Sequence, residues 1–200
     1  MEQVLVVGIH ADHNRLQEYG TAVKPDYARR GSLAGETTRF VIEELLPFLE
    51  QNYAITRYGI VYAGFSLGGL MALDIAWNCS MYFSKVAVLS GALWWRSRAI
   101  EDGYNGADRI MHEQIKDSNT KPALKFWFQT GTLDETDDRD GDGVIDSIQD
   151  TLECISELEQ KGYKWGKDIC YVEVKDGEHN IRTWSAIFPD FYKWAFQIQL

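Results

Sequence analysis

The sequence predicts an α/β protein with a mostly parallel sheet flanked by helices, on three observations. Strand-like and helix-like stretches alternate along the chain, the order that a parallel sheet with crossover helices requires. Most of the strand-like stretches are continuous apolar runs, so they read as strands covered on both faces. One of them passes through Gly64-Phe65-Ser66-Leu67-Gly68 directly into helix-like sequence, a strand–turn–helix with a serine at its apex.

Each element follows from its residues. Val4-Leu5-Val6-Val7-Gly8-Ile9 reads as a first buried strand, followed by a polar, glycine-containing loop to about Gly35. Thr37 or Thr38 is placed to cap a helix over 39–51, with Phe40, Val41, Leu45, Phe48 and Leu49 as its buried stripe and Pro47 as a source of a kink. Ile60-Val61-Tyr62-Ala63 forms the strand before Ser66, and Gly69 to Leu73 begins the helix after it. Glycine is expected at 64 and 68 because a Cβ at either position would clash in so tight a turn. Val86-Ala87-Val88-Leu89 is a further strand, ending in Ser90-Gly91. The stretch 94–121 lacks a clear period and reads as an excursion of loop and helix. Leu124 to Gln129 is a strand ending at Thr130-Gly131, and acidic loop sequence fills 134–146. Ile148, Leu152, Ile155 and Leu158 mark an amphipathic helix over 147–161, Ile169 to Val174 the last strand, and 183–196 the closing helix.

Two hundred residues with ordinary apolar and charged content make one domain with a substantial core. A net charge of −10 argues against nucleic acid and anionic membrane surfaces as partners. No apolar run approaches the roughly 20 residues of a membrane span. The first residues lack a signal-peptide pattern, and three scattered cysteines make neither a zinc site nor a disulfide framework, so the expected location is cytoplasmic.

The chemistry centres on Ser66. The turn lifts its hydroxyl above the sheet edge and aims the Leu67 N–H at the same point, as an oxyanion donor beside a helix N-terminus. A serine needs a base, and His179 lies in a loop between the last strand and the last helix, at the same sheet edge. Asp134 directly follows a strand and is the candidate acid, with Glu135, Asp137 and Asp138 as neighbours able to take that role. Trp94 and Trp95 follow a strand at this edge and are candidates for the substrate pocket. His10 and His13, with Asp12 between them, lack the further ligands that a metallohydrolase site needs.

Taken together, these residues resemble the esterase D and enterochelin esterase branch of the α/β-hydrolases. The resemblance is carried by Gly64-Phe65-Ser66-Leu67-Gly68-Gly69, by Val6-Val7-Gly8-Ile9 with Arg15 and Glu18-Tyr19, and by Glu43-Glu44-Leu45-Leu46-Pro47-Phe48. Ser90-Gly91-Ala92-Leu93-Trp94-Trp95, and His179 with Thr183-Trp184, complete it. It implies an α/β-hydrolase-like fold and hydrolysis of a small-molecule carboxylic ester or thioester by a Ser66–Asp134–His179 triad, without a cofactor for the chemistry. The same triad serves acyltransferases and peptidases, and a vestigial one would leave a non-catalytic calcium-binding domain. In the family three strands precede the one matching residues 4–9. The chain is therefore expected to be the C-terminal part of a longer domain, or a variant with strand 4–9 paired directly to the strand before Ser66. Weak or no esterase activity is expected for the chain alone.

Asp138-Arg139-Asp140-Gly141-Asp142-Gly143-Val144-Ile145-Asp146 follows a calcium-loop pattern, D-x-D-x-D-G-x-x-D. The expected ligands are Asp138, Asp140, Asp142, the Val144 carbonyl and Asp146; Gln149 stands where a bidentate glutamate would close the site. A structural Ca2+ there would stiffen the loop that carries Asp134.

Overall fold

Residues 4–56 and 58–196 are described by a computed structural model of the protein. In chain order the elements are α1 (Arg15–Glu18), α2 (Ala34–Arg39), a π-helical segment (Phe40–Leu45), α3 (Leu46–Asn52), β1 (Val61–Phe65), α4 (Leu67–Asn78) and β2 (Lys85–Leu89). Two short 3-10 turns, α5 (Ile110–Asp117), β3 (Lys125–Leu133), α6 (Asp146–Gln160), β4 (Ile169–Glu178) and α7 (Ile181–Phe196) follow. The sheet has four strands in the order β1-β2-β3-β4, every pair parallel.

Alternation along the central strands divides the core in two. Val86 and Val88 of β2, with Phe126 and Phe128 of β3, face a large cluster built with α4, α5 and α6. Ala87, Leu89 and Trp127 point the other way and are covered by Phe191 and Ala195 of α7. Both faces of β2 and β3 are thus buried, as their unbroken apolar runs require. β4 lies at the sheet edge, and most of its residues are partly covered or exposed.

The strand expected over residues 4–9 does not form. This segment has no regular structure, and Leu5, Val6 and Val7 are exposed. Apolar sequence becomes a strand only where a neighbour satisfies its N–H and C=O groups, and none does so among the described residues. β1 is the outer strand, paired on one side to β2 alone among the described residues, which removes the alternative of direct pairing between 4–9 and β1.

The helix before β1 starts earlier than the threonines indicate. Thr37 and Thr38 lie inside it, their hydroxyls bonded to the Glu18 and Ala34 carbonyls at 2.7 and 3.0 Å. Its buried stripe also differs, with Val41, Leu46 and Leu49 buried while Phe40 and Phe48 are exposed. Val41 and Leu46 are five residues apart, and the i→i+5 geometry of the π segment keeps them on one face. Pro47, which has no N–H to donate, follows this segment in the first turn of α3. On α6, Ile148, Ile155 and Leu158 are buried as expected, whereas Leu152 is exposed and Thr151 and Cys154 take the inner face.

Asp74, on α4, is fully buried. It accepts the Ala22 N–H at 2.9 Å and the Asn78 amide at 3.1 Å, tying the loop after α1 to α4. Desolvation pushes its pKa up to about 6 despite these bonds.

Candidate active site

The C-terminal ends of all four strands meet at one edge, and the candidate residues are set there by register. Phe65 pairs with Leu89, so Ser66 and Ser90 leave the sheet side by side. Leu133 pairs with Glu178 beyond a register shift at Gly131, so Asp134 and His179 leave it side by side as well. Gly131 and Gly177 permit this approach, because a Cβ on Gly131 would collide with the Gly177 carbonyl.

Ser66 sits at φ 55°, ψ −125°, a strained backbone for a residue with a side chain. It is held from two sides: its N–H donates to the Leu89 carbonyl at 3.0 Å, and its carbonyl accepts the Gly69 and Ala92 N–H groups at 2.9 and 3.1 Å. A Cβ at Gly64 would run into the Gly68 backbone, as the turn predicts. At Gly68 the expectation fails, since the nearest atom there is 3.7 Å away, on Tyr19. The second tightly packed glycine is instead Gly69, against Gly64, Gly91 and Val88. Leu67 begins α4, so its N–H has no carbonyl one turn earlier to bond.

Ser66, Asp134 and His179 line one cleft of about 250 Å³, together with Ser90, Gly91, Ala92, Trp94, Glu135 and Ser147. Asp134 is buried; its two oxygens accept the Ser90 hydroxyl at 3.1 Å and the Gly131 N–H at 2.9 Å. Desolvation raises its pKa, while these two bonds and the charge of His179 pull it down. His179 is exposed, its ring edge-on to Trp184 at 5.2 Å between centroids. Among the described residues no hydrogen bond joins the imidazole to Ser66 or Asp134. Such bonds are commonly long before substrate arrives and tighten in the complex.

Ser90 and Trp184 organise this edge, which the sequence reading did not foresee for either. The Trp184 indole N–H donates to Ser90 Oγ at 2.9 Å, and Ser90 in turn donates to Asp134. The indole also packs on Phe65 at 5.0 Å, next to Ser66. The available signal for Ser90 was its Ser-Gly pair at the end of a buried strand; its left-handed backbone (φ 46°) is visible only in the fold.

The two tryptophans separate. Trp94 lines the cleft, while Trp95 is fully buried with its ring against Gly20 and Gly31, so it is a core residue rather than a pocket residue. In the acidic loop, the carboxylates of Asp138, Asp140 and Asp142 come within 4.8 Å of one another. Asp146 does not join them. It accepts the Arg139 N–H at 3.0 Å and pairs with the Arg139 guanidinium at 3.1 Å, because a buried carboxylate needs a compensating donor. Val144 is partly exposed on the loop, with its N–H bonded to Asp142.

A Bacillus subtilis (strain 168) protein, YbbA, uncharacterized, is 20% identical over 98% of this chain and 74% of its own length. YjcH from the same organism, also uncharacterized, is 28% identical over 84% of this chain and 62% of its own length. Among solved structures, an enterobactin esterase from Shigella flexneri superposes with a TM-score of 0.63 at 19% identity, over 82% of this chain and 37% of that one. An IroE-like serine hydrolase from Shewanella oneidensis gives 0.62 at 18% identity, over 89% and 55%. At such identity the superpositions establish the shared α/β-hydrolase-like fold, and this chain spans only part of each of these proteins. The model of the family described as putative esterase matches residues 1–194, a span that takes in Ser66, Asp134 and His179. The chain belongs to the putative esterase family.

Proposed function

We propose that this chain is a serine hydrolase that cleaves carboxylic esters through an acyl-enzyme, with Ser66 as nucleophile, His179 as base and Asp134 as the acid that orients it. The observation that carries the reading is the convergence of these three residues, widely separated in sequence, on one cleft at the C-terminal sheet edge. Ser66 Oγ attacks the ester carbonyl while His179 takes its proton, and the carbonyl electrons collect on an oxyanion facing the Leu67 N–H. Collapse expels the alcohol, which leaves with the proton from His179. A water then gives its proton to His179 and attacks the acyl-enzyme; the second tetrahedral intermediate collapses, the Ser66 Oγ–acyl bond breaks as His179 returns the proton to Oγ, and the acid is freed. Asp134, ionised and held by Ser90 and Gly131, stabilises the imidazolium in both halves. A cleft of about 250 Å³ suits a small acyl group, with Trp94 as its apolar wall. The free thiols of Cys79, Cys154 and Cys170 support a cytoplasmic setting. Among the described residues no helix is long and apolar enough to cross a membrane.

The test is covalent labelling. A fluorophosphonate is expected to modify the protein once, on Ser66 by peptide mass mapping, and to abolish hydrolysis of a panel of short-chain, aromatic and lactone esters in parallel. An unlabelled Ser66 in folded protein ends the serine-hydrolase reading.

A structural cation is proposed for Asp138, Asp140 and Asp142, the part of the predicted set that the fold brings together. These carboxylates are hard oxygen donors suited to Ca2+, which would neutralise their mutual repulsion and stiffen the loop after Asp134. Millimolar calcium is then expected to raise the thermal midpoint relative to chelator, and Asp140→Asn to remove the difference. Identical melts with and without calcium would dispose of the site.

A further inference from the structure

We infer that Glu135 and Ser147 form the recognition end of the cleft and select esters bearing a hydroxyl group on the part lodged against them. The inference rests on the serine-hydrolase reading, since it assigns the substrate of the same cleft. Glu135 lies in the loop after β3 and Ser147 in the first turn of α6, and both line the cleft that holds Ser66 and His179. Glu135 Oε1 and Ser147 Oγ are each shielded from solvent without a hydrogen-bond partner among the described residues. Buried polar atoms are rarely left unpaired, and two of them on residues that line one cleft call for a ligand that pairs with both. The Ser147 backbone N–H opposes the rise of the Glu135 pKa, so the two residues are neighbours.

The local field defines the partner. Burial, with Asp146, Asp137 and Asp150 nearby, pushes the Glu135 pKa up to about 7, so a second anion here is disfavoured. A hydroxyl both donates and accepts. It therefore pairs with Glu135 in either protonation state and with Ser147 at the same time. An alkyl chain in that place would leave both oxygens unpaired, at the cost of the hydrogen bonds each could make.

The test measures binding, so it needs no turnover. In the Ser66→Ala protein, dissociation constants are compared for ethyl butanoate, ethyl 3-hydroxybutanoate, 2-hydroxyethyl butanoate and monoethyl succinate. One of the hydroxylated esters is expected to bind at least about 10-fold more tightly than ethyl butanoate, and the succinate ester more weakly than either. Glu135→Met and Ser147→Ala, each added to Ser66→Ala, are expected to bring the hydroxyl-to-alkyl ratio close to one. A ratio near one in the Ser66→Ala protein, a ratio unchanged by both added substitutions, or tightest binding of the succinate ester would overturn the inference. Fluorophosphonate labelling of the wild-type protein separates the two failures. A labelled Ser66 with no hydroxyl preference removes this inference alone, whereas an unlabelled Ser66 removes the serine-hydrolase reading beneath it.

Discussion

Ser66→Ala and His179→Ala are each expected to lower ester hydrolysis by about 10⁴–10⁶-fold while the thermal midpoint stays close to that of the wild type. The size follows from mechanism: without Oγ no acyl-enzyme forms, and without the imidazole the hydroxyl keeps its proton at neutral pH. The small stability effect follows from position. Ser66 holds the turn through backbone bonds to Leu89, Gly69 and Ala92, which alanine keeps, and His179 is exposed. Because the two residues act as a unit, Ser66→Ala/His179→Ala is expected to be little worse than either single variant. Initial rates on the short-chain ester panel, alongside circular dichroism melts, check all three proteins. Near-wild-type turnover by Ser66→Ala would leave the nucleophile elsewhere.

Asp134→Asn is expected to cost on the order of 10²–10⁴ in kcat, with KM changed much less. One Asp134 oxygen accepts from Ser90 and the other from Gly131. An amide presents an N–H₂ group to one of those donors, so a bond is lost, and the imidazolium loses its countercharge. Glu135→Gln serves as the control for the assignment. The charge of His179 lowers the Asp134 pKa, which supports the proposed assignment of the acid to 134. If Glu135→Gln proves the more damaging to kcat, the acid is one residue further along. Ser90→Ala tests the link from Trp184 to Asp134, with an expected loss of about 10-fold in kcat, because it removes one of the bonds that orient the carboxylate.

Much of this edge was legible in the chain. The strand–turn–helix around Ser66 obeys local rules: an apolar run, glycines where backbones crowd, and helix formers after the turn. Asp134 and His179 stood out as candidates because one directly follows a strand and the other lies in the loop between the last strand and the last helix, and in a parallel sheet all strand ends lie on one edge. The misreadings share a cause. Trp95 and residues 4–9 are apolar, and composition alone assigns an apolar residue to a pocket, a core or a strand with equal ease. Asp146 fits a calcium-loop pattern, yet Arg139 reaches it first.

The sequence by itself determined the class of sheet, the turn at Ser66 and the edge on which the candidate residues lie, because these depend on backbone preferences and on periods that short stretches carry. Only the tertiary structure decided that Ser90 and Trp184 hold Asp134, that Trp94 rather than Trp95 faces the cleft, and that Glu135 and Ser147 line it with oxygens unpaired among the described residues. These contacts join residues up to 94 positions apart. They are fixed by the register of β1 on β2 and of β3 on β4, and by the close approach of Gly131 to Gly177, all of which arise only when the strands pair.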